Sequence, residues 1–151
     1  SDLLVVQREL AGEIARALGA RMTTDAPGAV AAAPADPGTY DLFLRARERY
    51  HAPMPSDKEE AIVLLREVLA RAPRFALAHA LLARAYVTSV GIAMSREGRT
   101  EWLDSAVAHA RRAVADAPAE PAGYAALGVA LAARGRHADA VAEFHRALAL
   151  D

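Results

Sequence analysis

A recurrence of small residues at one fixed separation constrains this chain most. Ala106, Ala110, Ala113 and Pro118 return 34 residues later as Ala140, Phe144, Ala147 and the position just past Asp151. A self-similarity of this length, built from helical stretches, cannot bury its apolar face alone, so neighbouring units must stack. The stretch YAALGVALAARGRHADAVAEFHRALALD shows how. Its large residues Tyr124, Leu127, Leu131 and Phe144 are sparse, with Gly128, Ala140 and Ala147 between them. Two helices that cross closely admit only small side chains at the crossing, and the large ones beside it fill the gaps between helices.

The rest of the chain is punctuated accordingly. Leu3, Val6, Leu10, Ile14 and Leu18 are spaced three and four apart, which predicts an amphipathic helix over about 3–21, within an N-terminal segment 1–22. Residues 23–38 carry three prolines and no large apolar pattern, and read as a Pro/Gly/Ala linker. Asp36-Pro37 has the form of an N-cap followed by a first-turn proline, with a helix to about His51. Pro53 and Pro55 break that helix. Ser56 and Glu59 read as the two ends of a capping box opening a helix to about Arg71. Helices are then expected over about 75–90, from a cap at Thr100 to Asp116, over 121–133, and over 137–150 after a turn at Arg134-Gly135. Gly91 and Gly98 should bracket a break. No segment alternates with period two, so no strand is expected.

The residues Tyr124, Leu127, Gly128, Leu131, Ala140, Phe144 and Ala147 resemble the pattern of the tetratricopeptide repeat (TPR). A middle copy matches as His79, Leu82, Ala83, Tyr86, Ala106, Ala110, Ala113 and Pro118, with eleven extra residues around SVGIAMSREGR. A first copy matches as Phe43, Ala46, Arg47, Tyr50, Ala61, Leu65, Val68 and Pro73, with two extra residues and with Arg47 where a small residue is usual. The resemblance covers about 39–151, divided 39–73, 74–118 and 119–151. It implies an all-α fold: antiparallel helix pairs stacked in a right-handed superhelix, with one extra N-terminal helix. It also implies a concave groove lined by first-helix positions, which here are Asp41, Leu44, Glu48, Leu77, Ala80, Arg84, Ala122, Ala125 and Val129. Some members grip a peptide carboxylate with Lys, Arg and Asn at such places; only Arg84 offers that chemistry, so the expectation is a shallow, mostly apolar groove. QRELAGEIARALG, the linker and YDLFLRARERY also look like a segment of bacterial signalling proteins in which a TPR region follows an adenylate cyclase or winged-helix module.

Catalytic chemistry finds little purchase. Cysteine is absent, which removes disulfides, thiolate nucleophiles and Cys-ligated zinc. His51, His79, His109, His137 and His145 form no HExxH and no evident three-ligand set, and read as surface or interhelix residues. No glycine-rich phosphate loop or GxSxG occurs. Glu59-Glu60 suits the dipole of a first helical turn. A net charge of -1 with scattered Lys and Arg argues against nucleic acid. No apolar run reaches the roughly 20 residues that span a bilayer. Trp102 packs over helix ends or serves as an aromatic anchor on a protruding elbow.

The expectation is therefore a non-catalytic module without cofactor or metal. It binds a protein, peptide or partner helix in its groove, as a regulatory part of a larger bacterial protein in the cytoplasm, or in the periplasm if a membrane span lies upstream. The alternative is a structural element that makes homo-oligomers through the N-terminal helix or the last repeat. The start inside a helical pattern suggests a fragment.

Overall fold

A computed structural model describes residues 34, 36–90 and 95–151. The helix expected over 3–21, and nearly all of the linker, lie outside the described residues. Those described form six helices and no strand: α1 (Pro37–His51), α2 (Pro55–Arg71), α3 (Ala76–Ser89), α4 (Arg96–Asp116), α5 (Pro121–Ala133) and α6 (His137–Leu150).

The caps explain most boundaries. Asp36 accepts from the amides of Gly38 and Thr39 at 3.2 Å each, and Thr39 Oγ1 donates to its carboxylate at 2.8 Å. Helix α1 therefore begins at Pro37, inside the segment read as linker. Two expected caps are displaced. Helix α2 starts at Pro55, because proline is well suited to a first helical position. Asp57, not Glu59, supplies the reciprocal bond by accepting from the amide of Met54 at 3.2 Å. Helix α4 starts at Arg96 with Ser95 as cap, its Oγ accepting from Gly98 at 3.1 Å. Gly98 and Thr100 are thus helical, and Thr100 Oγ1 donates back to the Arg96 carbonyl. At the α5–α6 turn Gly135 has φ +81°, a conformation costly for any residue with a Cβ.

Adjacent helices pack as pairs: α1 with α2, α3 with α4, α5 with α6. Connections of three to six residues between packed neighbours make these antiparallel hairpins. Helix α3 also packs on α2, and α5 packs on both α4 and α3, so the pairs join into one continuous core. Leu65 and Leu82 are fully enclosed in it, and truncating either to alanine would cost about 2–5 kcal/mol.

The internal repeat is visible in hydrogen bonds as well as in sequence. The α2–α3 and α4–α5 turns are built alike. Ala72 and Ala117 close the helices on Val68 and Ala113, and Phe75 and Glu120 donate to Ala72 and Ala117 in turn. His79 and Tyr124 occupy the same register position. His79 Nε2 donates to the Pro73 carbonyl at 2.8 Å, and the Tyr124 hydroxyl donates to the Pro118 carbonyl at 2.9 Å. Different side chains thus make one bond to the proline that closes the preceding unit.

Candidate interaction face

The expected groove residues lie on the first helices α1, α3 and α5. Leu44, Leu77, Ala122, Ala125 and Val129 are half-buried, so each offers part of an apolar surface. Asp41, Glu48 and Arg84 are exposed. Ala80 is only 3% exposed and belongs to the core, where it gives a partner almost no side-chain surface. Arg84 reaches back to the first hairpin, its guanidinium 5.6 Å from the centre of the Tyr50 ring. Delocalised charge over an aromatic face is a favourable contact, and the Arg84 side chain remains exposed.

The residues assigned to repeat packing behave in two ways. Tyr50, Ala61, Leu82, Ala83, Tyr86, Ala106, Ala113, Leu127, Gly128 and Ala140 are buried. Tyr124 and Ala147 are half-buried, and Phe144 is 37% exposed. Phe144 still packs against Gly128, whose backbone its ring crosses closely.

A second cluster, joining α2, α3 and α4, was not brought together by sequence spacing. Arg66 on α2 donates to the Tyr86 hydroxyl on α3 from Nε at 3.0 Å and from Nη2 at 2.8 Å. Trp102 meets Tyr86 edge-on, ring centres 5.1 Å apart, so its half-buried indole packs on the core. His109 stacks on Tyr86 at 5.9 Å and on His79 at 5.2 Å. The Nδ1 atoms of His79 and His109 are 2.9 Å apart. Burial pushes the His109 imidazole down to about 4, helped by repulsion from His79 once that ring is protonated and from the Arg66 guanidinium. Burial also lowers His79, partly offset by its bond to the Pro73 carbonyl. The two histidines stand thirty positions apart and across the insertion, so only the fold reveals their contact.

Among the described residues, no group of three or more His, Asp or Glu side chains could hold a metal ion. None of the described helices is long and apolar enough to cross a membrane. A notch of about 320 Å³ lies between α4 and the α5–α6 turn, lined by Val107, Leu131, Arg111 and Arg136, with Arg134 paired to Asp104 at 3.1 Å.

Among the described residues, four of the seven exposed large hydrophobic side chains, Val141, Phe144, Leu148 and Leu150, lie on α6. Val107 on α4 is 9% exposed, whereas Val141, at the same register position, is 53% exposed. Leu148, the counterpart of half-buried Val114, is 69% exposed. The difference has a simple cause: α5 covers α4, and no described element covers α6 on that side. No family model matches the chain, and comparison with curated proteins finds no match.

Proposed function

We propose that the three hairpins are tetratricopeptide repeats stacked as a right-handed superhelix, and that they form a non-catalytic module. The module binds a peptide or partner helix along its first helices, as the regulatory part of a larger signalling protein. The observation that carries this is the shared bond of His79 to Pro73 and of Tyr124 to Pro118. It gives successive hairpins one stacking geometry and so aligns their first helices. The half-buried apolar side chains along those helices supply the chemistry for an apolar helical ligand.

A photo-reactive phenylalanine at Val129 tests the groove against the same group at Val63, exposed on α2. In the parent cells, Val129 should crosslink one discrete partner, and Ala125→Arg should abolish the product. Equal crosslinking from both positions, or no effect of Ala125→Arg, would remove the groove from consideration.

A second function has its own observation. The bare stripe of Val141, Phe144 and Leu148 suits an oligomerisation element pairing through the last hairpin. Sedimentation separates the two functions, because a tight dimer sensitive to substitutions on α6 and indifferent to Ala125→Arg belongs to the second alone.

A further inference from the structure

We infer that the His79–His109 pair is a proton-sensitive joint that ties the α2–α3 turn to α4 and opens when both imidazoles become charged. The geometry fixes the bonding. A carbonyl only accepts, so His79 Nε2 carries a hydrogen and donates to Pro73. Neutral His79 then has a bare Nδ1, which accepts from the Nδ1–H of His109 across 2.9 Å. Two bonds in series run from the turn, through α3, to α4.

One added proton leaves this chain intact. If it resides on His109, the Nε2 takes it and the bond between the rings persists. If it resides on His79 Nδ1, His109 shifts its remaining hydrogen to Nε2 and accepts instead. Either way, one N–H lies between the rings. A second proton has no such arrangement, because two N–H groups then face each other at 2.9 Å within a partly buried stack. The pair therefore titrates as a unit.

The surroundings favour neutrality. Arg66 on α2 and Arg112 on α4 disfavour added charge. Asp116 on α4 favours it at His79, but is shared with Arg112 at 3.0 Å and with Arg74 of the turn at 3.6 Å. The Tyr86 hydroxyl on α3 already accepts from Arg66. Both folded-state affinities for protons lie below that of an unfolded histidine. Stability is full above the unfolded value of about 6.5, and is lost as pH falls from there toward about 4, where the unfolded chain takes up protons the folded one resists.

The repeat supplies its own control. The positions of His79 and His109 are occupied in the first hairpin by Phe43 and Leu64, neither of which is itself titratable. The double variant His79→Phe/His109→Leu transplants that pair. Thermal melts of the full chain at neutral pH and near pH 4.5 should show a loss of melting temperature at least about 4 °C larger in the parent than in the variant. Equal losses would overturn the joint. Nitrogen-15 imidazole spectra of the parent give a second readout that does not depend on the variant folding. His79 should show a protonated Nε2 and an accepting Nδ1 at neutral pH, and both rings should resist protonation below the ordinary range. Two independent titrations near the free-histidine value would refute the proposal.

Discussion

The ring of Phe144 lies across the backbone of Gly128: a methyl group built on that glycine would stand 2.6 Å from Cε1 and 2.8 Å from Cδ1. These atoms belong to a side chain that is 37% exposed and can swing outward. Gly128→Ala gains roughly 0.8–1.0 kcal/mol of helix propensity, but drives the ring off α5. The expected net effect is a loss of about 0.5–1.5 kcal/mol in urea unfolding. In a Phe144→Leu background the sign should reverse to a gain of about 0.5–1 kcal/mol, because the obstructing ring is gone. Additive effects would mean that the two residues are not coupled.

Gly123 contrasts with this. A methyl group there would meet the Val114 amide nitrogen at 3.0 Å and the Ala113 carbonyl carbon at 3.2 Å. Backbone cannot swing aside, so α5 as a whole must back away from α4. Gly123→Ala should cost about 1–3 kcal/mol in the same assay. Truncating Val114 to alanine should not rescue it, since the closest atoms are main chain. Rescue would show that the Val114 side chain, at 3.2 Å, sets the spacing instead.

These two glycines show what was legible in the sequence. Gly128 lies at a position where a recurring pattern requires a small residue, and its partner Phe144 lies at another. Gly123 occupies no patterned position. The need for it arises from how closely α5 crosses the preceding hairpin, a distance that spacing along one chain does not encode. Helix existence was readable for the same reason as Gly128, from periodicity and proline punctuation. The starts of α2 and α4 were not, because Pro55 and Ser95 each allow an earlier first turn than the hydroxyl residues first read as caps. Of the residues expected along the first helices, Leu77 and Val129 are half-buried, whereas Ala80 is enclosed, a difference that periodicity alone does not reveal. The contact of His79 with His109 joins two helices across thirty positions of sequence, and no local signal predicts that.

The displaced cap gives a further test. Asp57 accepts from the Met54 amide and also pairs with Arg49 on α1 at 3.3 Å, so it joins the two helices of the first hairpin. Asp57→Ala should cost about 0.5–1.5 kcal/mol. Ser56→Ala should stay within about 0.5 kcal/mol of the parent, as an exposed substitution away from any cap does. The reverse order would restore Ser56 as the cap and mean that the helix proper starts two residues after Pro55.

The stripe on α6 bears on association. Ile62, Val107 and Val141 share one register position, and only Val141 is bare. Leu69, Val114 and Leu148 repeat the comparison, with only Leu148 exposed. In the first two hairpins the covering element is the first helix of the next unit, so the chemistry missing from α6 is that of another apolar helix. The chain should therefore self-associate in a concentration-dependent way, measurable by sedimentation velocity. Val141→Glu/Leu148→Glu should shift it toward monomer, with little change in melting temperature at concentrations where the unsubstituted chain is itself monomeric, because neither side chain is covered there. Appending a helix with a polar outer face after Asp151 should also reduce association, and should raise the melting temperature as well, since it buries the stripe rather than removing it. A parent chain that stays monomeric at the highest concentration tested, with an equal melting temperature after the addition, would mean that the stripe neither seeks nor requires a partner.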